Sequence, residues 1–290
     1  MKPQNAPWII SSLCLLGLSS SMHVARAQST VTSQTPAQTT LEPGSLHSYS
    51  KIPNSTIQFN PPPLPDRGRP EGRRRGGASR GECALSEHLP LTALIPSRAS
   101  ADLSPSAEPA ENSTVTTVFS LTAQARPSFW YYVPYSLSTT RLEFVLQDED
   151  NNTVYQSAVS PSQSDHPESG GIIQVSLPDT APALQPNGLY HWFFLAYCDQ
   201  TSPEFVDGWI LRSPMSEAIS LAANNAVPRA QAAIYAQNSL WQEALTLLGE
   251  NYREFPTDPT RASDWENLLE AAGLRELSEE SLVDCCAFEH

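Results

Sequence analysis

Between Val115 and Arg212 the chain reads as seven short apolar runs, and this pattern constrains the fold more than any other feature. The runs are Val115–Ala123, Ser128–Val133, Arg141–Gln147, Thr153–Val159, Gly171–Leu177, Tyr190–Cys198 and Phe205–Arg212. Each is rich in β-branched or aromatic residues and is closed by turn formers, which is the signature of strands. They recur in steps of about ten residues with no helical pattern between them, too little chain for the crossovers of a parallel sheet. The expected core is therefore an antiparallel, immunoglobulin-like β-sandwich on residues 83–213. Alternation is plain in Ile173-Gln174-Val175-Ser176-Leu177, and Asp148-Glu149-Asp150-Asn151-Asn152 supplies a hairpin turn.

After Ser213 the apolar spacing lengthens to the helical period. Ala230, Ala233 and Ile234 form one stripe; Leu240, Trp241, Ala244, Leu245, Leu248 and Tyr252 form another, with Ser239 and Gln242 placed as a capping box. A later helix is predicted to start at Ser263, with Glu266 completing a second capping box, and to stop at Gly273. Helices this short need a surface to pack on. Residues 214–284 are thus expected to form a small helical hairpin plus one helix against the sandwich, an α+β arrangement, with residues 285–290 as a tail.

The N-terminal part has a different character. Lys2, the apolar stretch Trp8–Leu18 and Ala25-Arg26-Ala27 have the layout of a secretory signal over residues 1–27, too short to span a bilayer. Leu13 before Cys14 is not the small residue that lipoprotein processing requires. Residues 28–82 are rich in Pro, Ser, Thr and Arg, show no apolar period and are expected to be a disordered linker. Its arginine run, Arg73-Arg74-Arg75 with Arg67 and Arg69 before it, admits two readings: a solvated neck, or docking to an anionic polymer or to the acidic body itself.

Charge narrows the partners. The chain carries 17 basic and 31 acidic residues, and residues 83–290 hold eight arginines, no lysine and 27 acids. Such a field repels nucleic acid and anionic lipid, so no nucleic-acid partner is expected, and because no stretch after the signal approaches spanning length, no membrane span is expected either. Export makes disulfides available to the four cysteines that follow the signal. Cys83, just before the folded region, and Cys198, ending a strand, are the favoured pair; Cys285 and Cys286 are open to free thiols, an intermolecular bond or separate partners.

No segment has the spacing of a catalytic, cofactor or metal site. Asp148, Glu149 and Asp150 lack the glycine and distal glutamate of a calcium loop, and His191 has no second histidine at ligand spacing. The strongest side-chain signals are Phe129-Trp130-Tyr131-Tyr132 and Tyr190-His191-Trp192-Phe193-Phe194. Half of each run faces a core in alternating strands; Trp130, Tyr132, Tyr190 and Trp192 are the candidates for a binding face. The functional expectation is an exported, noncatalytic envelope or periplasmic module that binds a protein or a cell-wall polymer. A carbohydrate-binding module is the first alternative, and a hydrolase with a fold-assembled carboxylate pair is the second.

Several segments in one order also resemble a known family. Arg75-Gly76-Gly77-Ala78-Ser79-Arg80-Gly81-Glu82-Cys83, Leu91-Thr92-Ala93-Leu94-Ile95-Pro96, Ala125–Pro134, Glu143–Asp148, Tyr190–Phe194, Gly208–Arg212 and Ala233–Leu245 are similar to the cyanobacterial domain-of-unknown-function family 928, over about residues 75–275. That resemblance implies a secreted or periplasmic cyanobacterial protein and brings no catalytic residues. Tyr235–Pro256 is also similar to one tetratricopeptide unit, although a single unit makes no solenoid.

Mass spectrometry of the protein purified from an exporting host should find Gln28 at the mature N-terminus, free or cyclised. A retained Met1 would remove the basis for export.

Overall fold

The computed structural model describes residues 56–67, 70–77, 89–99, 116–160, 170–198, 203–284 and 286–288, all within one folded unit. Ten strands occur among them: β1 (Thr92–Ala93), β2 (Ser97–Ala99), β3 (Thr116–Thr122), β4 (Ser128–Val133), β5 (Arg141–Gln147), β6 (Thr153–Ser160), β7 (Gly171–Ser176), β8 (Leu189–Tyr197), β9 (Glu204–Arg212) and β10 (Ala287–Phe288). Four helices follow the ninth strand: α1 (Glu217–Asn224), α2 (Pro228–Gln237), α3 (Trp241–Glu254) and α4 (Pro259–Ala271). The chain is α+β, with a sheet-rich region followed by helices, as the change of period predicts.

The strands form a three-stranded sheet, β1-β4-β7, and a seven-stranded sheet, β10-β6-β5-β8-β9-β3-β2. One pairing corrects the expectation of a wholly antiparallel core: β3 runs parallel to β9, from Phe119 opposite Trp209 to Thr122 opposite Arg212. The five strands between them in sequence supply the long connection that a parallel pair requires. Elsewhere the turn reading stands. Asp148 Oδ1 accepts from the amides of Asp150 and Asn152, both at 2.9 Å, and closes the β5–β6 hairpin with Asn151 at φ 63°.

The small sheet lies between the large sheet and the helices. Phe129 of β4 meets Phe144 and Trp192 of the large sheet at ring separations of 4.9 and 6.0 Å, and Tyr131 stacks on Phe194 at 3.9 Å. On the opposite face of β4, Trp130 donates from Nε1 to Thr246 Oγ1 on α3 (3.1 Å) and meets Trp265 on α4 at 5.9 Å. A Cβ on Gly249 would stand 2.6 Å from the Trp130 ring, so glycine is what lets α3 come this close. Burial on both faces explains why Phe129–Val133 is an unbroken apolar run.

The helices depart from the expected boundaries at their starts. Ser216 caps the unpredicted α1, accepting from the Ile219 amide at 3.3 Å. The Ser239–Gln242 capping box is corrected: Ser239 sits at φ 64°, α3 begins at Trp241 without a side-chain cap, and the Gln242 amide bonds Ser120 Oγ at 3.1 Å. The box at Ser263 is corrected as well, because Asp258 caps α4 through the amides of Thr260 and Arg261 and Pro259 opens the helix with its fixed φ. The stop at Gly273 holds. With φ 68° it bonds Glu270 O, while the Leu274 amide reaches Leu269 O at 2.9 Å, a Schellman closure.

Two segments outside the main strands stitch the layers together. Residues 56–67 and 70–77, which composition assigns to the linker, lie on the body: Ile57 is buried, and the Phe59 ring meets Trp241 edge-on at 4.8 Å. Further along, Gly72 N bonds Thr116 O, Arg73 and Asp207 exchange backbone bonds, and Ala93 N bonds Arg74 O. This neck therefore passes from the large sheet to the small one. The tail makes the matching crossing elsewhere, with Val283 N bonding Ile172 O on β7 and β10 pairing with β6.

Among the two readings of the arginine run, docking to the chain's own body describes these residues. Arg67 pairs with Glu149 and Arg75 with Glu276. Arg74 donates to Ala272 O at 2.5 Å, on the carbonyl end of α4, where a cation is favoured. Burial, then the charge of Arg75, lowers its pKa to about 10, so it stays protonated at neutral pH. The expected Cys83–Cys198 bridge falls in part outside the described residues, as does Cys285.

Arg74→Ala should lower unfolding stability by about 1–3 kcal/mol in urea, read by tryptophan fluorescence. Arg74→Lys should restore only part of that loss, since an ammonium lacks the guanidinium fork. An unchanged midpoint in both variants would mean that the neck is not docked.

Candidate functional site

The four aromatic residues singled out for a binding face are all interior: Trp130, Tyr132, Tyr190 and Trp192 are 2, 3, 6 and 1% exposed. This corrects the parity of the candidates. Trp130 faces the helices, Trp192 faces the small sheet, and the Tyr190 hydroxyl accepts from the Gln185 amide at 2.8 Å. On β4 both parities are buried, but on β8 period 2 places the neighbours of Tyr190 and Trp192 on the outer face of the large sheet.

That face is built from every second residue of three adjacent strands. On β8 they are His191, Phe193, Leu195 and Tyr197; on β9, Phe205, Asp207 and Trp209; on β5, Arg141, Glu143 and Val145. The register sets Phe193 opposite Val145 and Asp207, and His191 opposite Trp209. Phe193, Leu195, Tyr197, Phe205 and Trp209 are all partly exposed. None belongs to the main core cluster or to the residues packed against it.

Polar groups pin these rings in place. His191 stacks on Trp209 at 4.3 Å and 9° and touches Phe193 at 4.2 Å, while its Nε2 bonds Asp207 Oδ2 at 2.8 Å. The other oxygen, Asp207 Oδ1, accepts from the Arg73 amide at 3.0 Å, and Trp209 Nε1 donates to Glu71 O at 2.9 Å. The neck thus borders the face and orients its histidine–aspartate pair. At the other end the Arg141 guanidinium lies 3.6 Å from the Tyr197 ring centre, and the Tyr197 hydroxyl donates to Glu143 Oε2 at 3.0 Å. Desolvation, reinforced by that carboxylate, raises the Tyr197 phenol pKa, so the hydroxyl remains a donor at neutral pH.

Chemically, this is an amphipathic platform. No hydroxyl or thiol bonds His191 among the described residues, and no three His, Cys, Asp or Glu among them gather to hold a metal ion. No helix among them is long and apolar enough to cross a membrane. Sequence reasoning missed the platform because its β8 candidates, Tyr190 and Trp192, have the inward parity, and its β4 candidates, Trp130 and Tyr132, lie on a strand buried on both faces. The available signal was the interleaving of polar His191 and Asp207 with Phe193 and Trp209, which marks the solvent-side parity.

Comparison with known proteins bears on this arrangement only through the family. The family model described as Domain of Unknown Function (DUF928) matches residues 75–282. The chain belongs to that family. The match begins inside the arginine neck and ends before β10, so it takes in β1 to β9, all four helices and the outer face. No curated protein matches the sequence. Among solved structures, one of Astrotactin-2, described as a conserved vertebrate-specific and perforin-like membrane protein involved in neuronal development, aligns at 14% identity and a TM-score of 0.25. It covers 71% of this chain, and this chain spans 40% of its length.

Trp192→Ala should cost about 3–5 kcal/mol of unfolding free energy, as for a large ring removed from a core. Phe193→Ser, one residue away on the outer face, should cost about 1 kcal/mol or less. Equal losses would place both rings in one core.

Proposed function

We propose that this DUF928 protein is an exported, noncatalytic interaction module of the periplasm or envelope that takes a protein partner on the outer face of β5, β8 and β9. The observation that carries this reading is the band of partly exposed rings, in which Tyr197 and Trp209 are held by hydrogen bonds, Phe193 by contact with His191 and Phe205 by the Arg73 guanidinium over its face. Aromatic anchors on a fixed scaffold dominate binding surfaces. The neck and tail occupy backbone edges that would otherwise accept a strand, which favours recognition by side chains over strand addition.

The signal-like leader supports export, and an oxidising compartment would let the cysteines pair. With Cys83 as the favoured mate of Cys198, the bridge would fasten the segment after the neck to the end of β8. An immunoglobulin-like classification is favoured by two facing sheets in which β1-β4-β7 lies against the succession β6-β5-β8-β9. Two consecutive helices in contact, α2 and α3, are what a single tetratricopeptide-like unit would contain.

A carbohydrate partner is the second reading. It draws on the parallel His191–Trp209 stack, whose flat rings suit the apolar face of a sugar. In cells, a photo-reactive residue at Phe193 should crosslink to one stoichiometric protein, and Phe205→Ser should abolish that product without shifting the melting temperature. A polysaccharide adduct at the same position would select the second reading. Crosslinking from exposed Leu221 on α1 but not from Phe193 would overturn both.

A further inference from the structure

Away from the outer face, the first turn of α3 carries two consecutive polar residues, Gln242 and Glu243, that are only 3 and 7% exposed. Each is half satisfied. Glu243 Oε1 accepts from Thr122 Oγ1 at 2.7 Å and from the amides of Ala123 and Gln124 at 2.7 and 3.1 Å, while Gln242 Nε2 donates to Ser120 Oγ. Glu243 Oε2 and Gln242 Oε1 are buried with no hydrogen-bond partner. An orphaned buried polar atom costs about 1–3 kcal/mol, more when charged. Holding the β3–β4 turn needs only Oε1, which a glutamine would also provide, so the turn does not account for the second oxygen or for the charge.

Both residues line a cavity of about 290 Å³ together with Gln124, Arg126, Tyr235 and Glu250. Among the donors around it, Arg126 Nε and Nη2 go to Ala181 O and Asp179 O at 3.0 and 3.1 Å, and the Gln231 amide goes to the Tyr235 hydroxyl at 2.9 Å. Glu250 adds a second carboxylate, one oxygen of which accepts from Gln174 at 2.9 Å. What Glu243 Oε2 and Gln242 Oε1 lack is a donor, because the Arg126 bonds run to the backbone of the 179–181 segment and not to them. Turning the Gln242 amide over would exchange its orphan oxygen for an orphan nitrogen. Glu243 has no such freedom, and with Glu250 it gives the lining two carboxyl groups against the single guanidinium of Arg126, which favours a cationic ligand.

We propose that this cavity is a binding site for a primary ammonium group, with Glu243 Oε2 as its principal acceptor and Gln242 Oε1 as a second. An ammonium offers three N–H donors on a compact charge. The volume lies at the small end of ligand pockets, suited to a short alkyl amine or the end of a lysine side chain rather than to a larger molecule. The site is separate from the outer-face reading, and either can fail without the other.

The mature protein, isotopically labelled, would be titrated with butylammonium chloride and, in a second arm, with N-acetyl-lysine methylamide. Saturable amide shifts at Ala123, Gln124 and Gln231 are expected from butylammonium, and tetramethylammonium, which has the charge but no N–H, should produce none. Binding of the lysine derivative at least as tight as that of butylammonium would identify a polypeptide source, and weaker binding a free amine. Glu243→Gln, which keeps the acceptor for the turn, should weaken binding by about tenfold or more without lowering the melting temperature. Gln242→Leu gives an independent reading if that variant does not fold. No saturable shifts with either amine, shifts equally produced by tetramethylammonium, or affinity unchanged in folded Glu243→Gln would overturn the proposal.

Discussion

The architecture depends on a sheet that has to be covered twice. Three strands, β1, β4 and β7, present apolar side chains on both faces, and so narrow a sheet has no stability of its own in water. The Tyr131 ring stacked on Phe194, with Trp192 at its edge, joins one face to the large sheet. Trp130, set between Thr246, Gly249 and Trp265, joins the other face to the helices. Removing either cover would expose a row of large rings to water, so the helices are part of the same core rather than an appended unit. The Tyr131 hydroxyl is carried into this interior without a partner, and burial alone raises its pKa well above the usual phenol range.

Covering the faces leaves the edges, and the chain closes edges with its two ends. The neck lies against β3, β9 and β1, and the tail lies against β7 and β6. Charge gives the neck its register. Arg74 meets the carbonyl end of α4, Arg75 meets Glu276 beyond it, and Arg67 reaches Glu149 in the β5–β6 turn. The exposed pairs contribute little singly. Arg74 differs, because its guanidinium is partly buried against carbonyls that otherwise lack donors, so its removal leaves acceptors unsatisfied as well as a charge missing. An acidic body with basic residues concentrated just before it is thus the arrangement that self-docking requires.

Much of this was legible from periodicity. Ser128–Val133 and Arg141–Gln147 have the observed strand bounds, and the other five runs agree to within a residue or two at their ends. Strands without a period of their own were not legible: β1, β2 and β10 span two or three residues and exist because a neighbour offers an edge. The neck was misjudged for a related reason. Most of its contacts are backbone bonds and arginine side chains, with Ile57 and Phe59 as isolated apolar anchors, and such contacts leave no apolar period. At the helix starts Ser239 and Ser263 had suitable residues three positions on, but a proline after Asp258 decided α4, and tertiary bonds to Ser120 and to the β3–β4 turn engaged Gln242 and Glu243. The aromatic candidates failed in two ways: Trp130 and Tyr132 lie on a strand covered on both faces, whereas Tyr190 and Trp192 have the inward parity of β8, and the polar residues His191 and Asp207 marked the outward side of the large sheet.

Two surfaces with different physics follow from these constraints. The outer face consists of side chains left over once the inner parity of β5, β8 and β9 is committed to the core, and its rings are fixed laterally by polar bonds. A surface prepared in this way loses little side-chain entropy when a partner covers it. The cavity beside α3 is the reverse case, a place where the fold holds polar oxygens that its own donors do not satisfy. Desolvation raises the Glu243 pKa, and the donors on its other oxygen oppose that rise. A cation delivered to Oε2 would act in the same direction as those donors and favour the carboxylate form. Occupancy of that cavity and the conformation of the β3–β4 turn are therefore coupled through one side chain, whereas the outer face is tied to the neck through Asp207 and Trp209.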